Sequence, residues 1–315
     1  MKEKMKLLVG YDGSAYADAA LDDLSRAGLP AEDVEAVVLS VAEVWLPPPP
    51  PSAAEVVEAA DRESPPAASQ KWHAKNSEMV KKAEDAASRA AARLRGMFPA
   101  WEVTAEAVYG SPAWELVMRA DAWRPDLVVV GSQGRTALGR FILGSVSQKV
   151  LTEARTSVRV ARGRVEVEPS PVRVVVGFDG SDGALRAARE VSRRVWPPGG
   201  EARVVIVVDP LAPFAQWVDE TGDGERAWRR GLAEAASREL RDSGLSVTPV
   251  VLEGDPKRVI VEEAEGFGAD SIFVGSTGFG NRMERFLLGS VSAAVAARAH
   301  CSVEVVRDAQ GPKDD

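Results

Sequence analysis

VVVGSQGRTALGRFILGSVSQKV, residues 128–150, decides the fold because it occurs twice. The second copy, IFVGSTGFGNRMERFLLGSVSAAV, residues 272–295, keeps the apolar run, the paired glycines, an Arg-Phe-apolar-Leu-Gly-Ser-Val-Ser block and a small-residue tail. A short apolar run of four or five residues ending at Gly reads as a buried strand. A run that starts at Gly-Ser and alternates small and apolar residues reads as a helix. Each copy is therefore a strand, a glycine-rich loop and a helix.

Working outward, the same order of elements appears on both sides of residues 162–171, RGRVEVEPSP, which read as a linker. The first half runs from an apolar strand at 6–11 through Asp12-Gly13-Ser14 into a small-residue helix stopped at Gly28-Leu29-Pro30, then a strand at 34–41. A helix with apolar spacing from residue 71 to Leu94 and Pro99 beyond its end, a strand at 103–109, a helix opened by Gly110-Ser111-Pro112, the repeated motif and a strand at 157–161 follow. The second half repeats this, with strands at 173–178, 202–208, 246–252, 270–274 and 302–306. Asp179 follows Asp12 by 167 residues, Gly254 follows Gly110 by 144 and Gly275 follows Gly131 by 144. The offset falls by 23 between residue 41 and residue 110, where the first half carries WLPPPPPSAAEVVEAADRESPPAASQKW, residues 45–72. A proline run favours polyproline II and is excluded from helices and central strands, so this is a surface insertion, read as a stiff spacer rather than a lid or docking segment.

Continuous apolar strands alternating with helices indicate a parallel sheet covered on both faces. The expected architecture is α/β: two tandem Rossmann-like domains, residues 1–163 with a Pro-rich insertion at about 45–70 and residues 171–315, each a five-stranded parallel sheet with helices on both faces. With 315 residues, 45% of them hydrophobic, the chain can fill both cores.

Composition excludes several kinds of chemistry. A net charge of -8 without an acid-free Lys/Arg cluster argues against nucleic acid, no apolar run spans a membrane, and the N-terminal lysines lead directly into a strand, so a cytoplasmic protein is expected. One cysteine, Cys301, excludes an intrachain disulfide and a multi-thiolate metal site. Two histidines, His73 and His300, far apart in sequence, leave little room for imidazole catalysis or a His-ligated metal.

Ligands of open parallel sheets bind beyond the carboxyl ends of the strands. Asp12 and Asp179 end the first strand of each half, and the glycine motifs end the fourth. Gly131 and Gly134 suit positive φ and close approach of a ligand, while Gly144, Ser145 and Val146 start a helix whose unsatisfied N–H groups attract an anion. Gly275, Gly278, Gly289, Ser290 and Val291 repeat the set, with ten residues between Gly278 and Gly289 where the first half has nine between Gly134 and Gly144. Val146 stands near where a Walker A loop needs its lysine, and Glu284 replaces the leading glycine in the second half, so this is a binding loop rather than a Walker loop. Arg140 and Arg285 are further phosphate candidates, with acid-paired or solvated arginines as the alternative. For Asp12 and Asp179, a ribose-accepting carboxylate and a turn aspartate are both compatible with Asp-Gly-Ser.

On these residues the chain resembles a tandem universal stress protein of the ATP-binding type. The family's Gly-x2-Gly-x9-Gly-Ser signature is matched in full by Gly131, Gly134, Gly144 and Ser145. The resemblance implies the adenine nucleotide alpha hydrolase-like fold, with ATP, ADP or AMP in the cleft, with or without Mg²⁺. It implies ribose contacts from Asp12 and Asp179, adenine contacts from the backbone of Val41 and Val207, and phosphate contacts from the glycine motifs. It implies a regulatory stress-response role with little or no catalysis and no catalytic residue. Weak Mg²⁺-dependent ATP hydrolysis and a nucleotide-free interaction module are the alternatives. A phospho-receiver is set aside because neither Tyr109 nor Glu253, at the end of the third strand, is the required aspartate. The last strand commonly pairs across a two-fold axis in this family. Residues 157–161 and 302–306 are thus expected to make an intrachain pseudo-dimer, with a homodimer of chains as a further level.

Overall fold

The structure is a computed structural model that describes residues 4–43, 67–133, 143–162, 171–209, 223–276 and 288–308. The proline run and the linker at 163–170 lie outside the described residues. The first half comprises β1 (Met5–Gly10), α1 (Ala15–Asp23), β2 (Val34–Ala42), α2 (Ala67–Met97), β3 (Glu102–Tyr109), α3 (Pro112–Trp123), β4 (Leu127–Gly131), α4 (Ser145–Glu153) and β5 (Ser157–Ala161). The second comprises β6 (Arg173–Gly177), α5 (Asp182–Arg193), β7 (Glu201–Val208), α6 (Asp223–Glu239), β8 (Ser246–Glu253), α7 (Pro256–Phe267), β9 (Ser271–Gly275), α8 (Ser290–Arg298) and β10 (Ser302–Val306).

All ten strands join one sheet, in the order β3-β2-β1-β4-β5-β10-β9-β6-β7-β8. Pairing is parallel within each half. The halves meet where β5 runs antiparallel to β10, with Val158 opposite Val305, Arg159 opposite Glu304 and Val160 opposite Val303. Arg159 and Glu304 are 145 residues apart, as are Gly144 and Gly289, so they are the same position in the two copies. A pseudo-two-fold axis therefore passes between them.

Strand alternation sorts the core into layers. On one face Leu8, Val37, Val128, Val158, Val175, Val303 and Val305 pack beneath α3, α4, α7 and α8 in a single apolar cluster that crosses the seam. On the other face the apolar residues form two clusters, one under α1 and α2 and one under α5 and α6. What separates these two is charge. Arg159, fully buried, donates from Nε and Nη2 to the Asp23 carboxylate at 2.7 and 3.1 Å, from Nη2 to Ser271 Oγ at 2.7 Å and from Nη1 to Glu304 at 3.4 Å. Arg194 reaches the other Glu304 oxygen at 2.5 Å, and Ser302 Oγ donates to Asp23 at 2.6 Å. The carboxylates of Asp23 and Glu304 outweigh burial and hold Arg159 above the ordinary arginine range. Arg26 adds a two-pronged contact to Asp270 of the other half at 2.8 and 2.9 Å.

This network explains where α1 ends. The sequence predicts a helix to about residue 27; the α-helix stops at Asp23 and tightens into a 3₁₀ turn over Leu24–Arg26. Asp23 and Arg26, on either side of that change, both reach the other half.

Breaking a buried ion pair by removing one partner leaves an uncompensated charge, at a cost of about 3–5 kcal/mol. Glu304→Gln and Arg159→Met should each lower the urea unfolding free energy by about that amount, while Arg258→Met, which breaks a half-exposed pair with Glu262, should cost about 1 kcal/mol or less. Equal losses for the buried and half-exposed pairs would contradict this role for the seam.

Candidate functional site

The carboxyl ends of β1, β2 and β4 open into a cavity of about 500 Å³. Its wall includes Asp12, Val41, Gly131, Gly144, Ser145 and Val146, so six of the seven positions predicted in the first half share one space. The seventh, Gly134, lies outside the described residues, as do Gly278, Arg140 and Arg285.

Each wall residue is held by local chemistry. Asp12 leaves β1 in an Asx turn, its Oδ1 accepting the Ser14 N–H at 2.9 Å, and Ser14 Oγ caps α1 by accepting from Ala17 at 3.1 Å. The turn reading of Asp12 is thus observed, and the same residue borders the cavity. Across from it, α4 begins at Gly144 with no side-chain cap, unlike α1. Leaving a helix N-terminus without a capping side chain keeps its N–H groups and positive dipole end available to an anion. Two bonds fix this end to the sheet: Gly144 N–H to Ser132 O at 2.8 Å and Ser147 Oγ to Gly131 O at 2.5 Å.

One expectation needs correction. Gly131 is expected to suit positive φ, yet neither it nor its counterpart Gly275 is among the residues with positive φ. A Cβ on Gly131 would lie 3.0 Å from Tyr16 O, and one on Gly275 2.3 Å from the Gly183 carbonyl carbon. These glycines let the first turn of α1 or α5 press against the end of β4 or β9. Helix-to-strand packing requires them.

Several wall residues carried no motif. Tyr11, whose hydroxyl donates to Asp18 at 2.7 Å, is pushed up to about 12 by burial and by that bond, so it stays neutral. Met79, Lys82 and Ala83 come from α2, and Glu43 and Gln133 complete the polar lining. The helical spacing of Met79 and Ala83 was legible, but which strands that face would cover was not. Lys82 also pairs with Glu78 at 2.6 Å on the solvent side.

In the second half Asp179 lies two residues beyond the end of β6, Val207 lies in β7, Gly275 ends β9, and Gly289, Ser290 and Val291 open α8. The local bonds repeat. Asp179 Oδ1 accepts Ser181 N–H at 2.9 Å, Gly289 N–H reaches Ser276 O at 2.6 Å, and Ser292 Oγ reaches Gly275 O at 2.5 Å. Gly289 has the same φ and ψ as Gly144, -62° and 151°, so the extra residue of the second loop leaves the helix start unaltered. Tyr11 is replaced by Phe178, which removes the hydroxyl and its bond.

Burial pushes the Cys301 thiol up to about 12, so it stays protonated at neutral pH. No cluster of three or more His, Cys, Asp or Glu able to hold a metal occurs among the described residues, and no described helix is long and apolar enough to cross a membrane.

Comparison with known proteins agrees with this arrangement. A universal stress protein from Mycobacterium tuberculosis H37Rv is 28% identical over 321 residues, covering 96% of each chain. One from Mycolicibacterium smegmatis is 35% identical over 195 residues, 58% of this chain and 61% of its own length. The crystal structure of a universal stress protein from Archaeoglobus fulgidus superposes with a TM-score of 0.63 over 96% of this chain and 98% of that one, at 22% identity, and shows the shared fold. The family model for the universal stress proteins matches residues 4–162 and again 172–307. Matched twice in tandem over nearly its whole length, this chain belongs to the universal stress protein family.

Proposed function

We propose that the chain is an adenine-nucleotide-binding regulator. In this reading the domains at residues 1–163 and 171–315 each hold one ATP, ADP or AMP, and the chain acts in the cytoplasm without catalysis of its own. The observation that carries this is the convergence on one cavity of Asp12, Gly131 and the uncapped start of α4. At about 500 Å³ the space falls within the range of roughly 300–1,000 Å³ typical of small-molecule sites.

The division of labour follows from chemistry. A carboxylate accepts hydrogen bonds and suits the vicinal hydroxyls of a ribose, which is the role assigned to Asp12. Helix N–H groups and the Ser145 hydroxyl donate, and suit phosphate oxygens. The base is assigned to the apolar side formed by Leu39, Val41, Met79 and Ala83, with the Val41 backbone beside it. Mg²⁺, where present, would travel with the phosphates and neutralise part of their charge. Asp179, Val207, Gly275, Gly289, Ser290 and Val291 are assigned the same roles in the second domain, and Gly134 and Gly278 join the phosphate contacts.

Chain purified without added nucleotide and then denatured should release adenine nucleotide, and the emptied protein should bind ATP calorimetrically. An empty preparation with no heat on ATP addition rules the proposal out. Asp12→Asn keeps the oxygen that supports the turn but loses the charge. Because a hydrogen bond to a charged group contributes about 1.5–3 kcal/mol, it should weaken one of the two sites by about 10- to 100-fold with little change in melting temperature. Asp179→Asn should do the same to the other. Unchanged titrations in both variants would remove the aspartates from the site.

A further inference from the structure

The residue after the last strand of each half is an arginine, Arg162 after β5 and Arg307 after β10, again 145 residues apart. Both cross the seam. Arg307 Nη2 donates to Leu151 O at 2.5 Å and Nη1 to Thr156 O at 3.4 Å. Arg162 Nη2 donates to Ala296 O at 2.7 Å and Nη1 to Cys301 O at 3.5 Å. Each backbone is pinned as well, Arg307 N–H to Ser157 Oγ at 3.1 Å and Arg162 N–H to Ser302 Oγ at 2.8 Å.

The acceptors matter more than the count. Leu151 lies in the last turn of α4 and Ala296 in the last turn of α8, where carbonyls have no partner further along the helix. Ala154 N–H already serves Val150 O, and Ala299 N–H serves Val295 O. The next carbonyl in each helix is the one the arginine of the other half takes. A cation there also meets the negative end of the helix dipole. Burial lowers both guanidinium groups to about 10, so at neutral pH they remain charged. These are the two helices that begin at Gly144 and Gly289 without a capping side chain. Each has nine residues, about 13.5 Å from end to end, short enough to shift as a rigid rod.

We propose that Arg307 and Arg162 are crossed positioning residues: each half holds, by its carboxyl end, the helix whose amino end faces the ligand site of the other half, so that the two sites are mechanically linked through the seam. A ligand drawing on the start of α4 strains a helix anchored by β10, and one at α8 strains a helix anchored by β5. The link to ligand rests on the nucleotide-binding reading above, whereas the anchoring does not.

The full-length chain tests both parts. Hydrogen exchange followed by mass spectrometry should show Arg307→Met raising exchange in residues 145–153 about tenfold while residues 290–298 stay as in the parent, and Arg162→Met should give the reverse. Loosening confined to the half that carries the substitution, equal in both helices, or absent from both overturns the proposal. If the Met variants do not fold, Arg307→Gln and Arg162→Gln, which keep amide donors but lose the charge, are read by the same criterion. ATP titration supplies a readout that a purely structural role would not move. In an Asp179→Asn background, where the first site is the tighter one, Arg307→Met should weaken the tighter binding about tenfold; in an Asp12→Asn background, where the second site is the tighter one, it should leave the tighter binding unchanged. Equal effects in both backgrounds overturn the linkage. If the parent chain binds no nucleotide, the proposed function fails, and the exchange pattern alone decides whether the anchoring is crossed.

Discussion

The pairing of β5 with β10 around Arg159 and Glu304 is the constraint on which the rest of the structure depends. A five-stranded parallel sheet leaves its last strand with unpaired N–H and C=O groups, an edge that must be covered or paired. Antiparallel pairing of two such edges satisfies both backbones at once. It also forces the side chains nearest the axis into contact. On one face these are valines, which fuse the two halves into one apolar layer; on the other they are Arg159 and Glu304, which compensate each other.

Because this charge is buried, its neighbours are committed to it. Asp23 ends α1 where it does in order to meet Arg159, and Arg194 follows α5 to meet Glu304. The residues that stop the helices beginning at Asp-Gly-Ser are therefore residues of the seam. The same sheet presents the carboxyl ends of β1 and β4, with Asp12 on one and the loop to α4 on the other, which is how a chain with few special side chains assembles a ligand-sized cavity.

Much of this was legible in the sequence. The strands at 157–161 and 302–306 agree residue for residue with β5 and β10, since short apolar runs between a helix end and a charged residue admit few other readings. An offset that changes mainly across the insertion revealed the repeat, and the positions of Asp12 and Gly131 at strand ends, with Gly144 opening the helix that follows, came from parallel topology. What was not legible was contact between distant segments. Glycine is ambiguous in sequence, and Gly131 and Gly275 prove to serve helix packing. Nothing local distinguishes Arg159 from a solvated arginine, and its partners lie 136 and 145 residues away. Lys82 belongs to the cavity only because α2 lies over β2, a matter of packing rather than pattern.

The Arg159–Glu304 pair also sets what either half can be exchanged for. Two identical halves meeting on this axis would bury arginine against arginine or glutamate against glutamate. With arginine in one copy and glutamate in the other, neither half is interchangeable with a duplicate of its partner: the seam is a lock that accepts only the unlike pair.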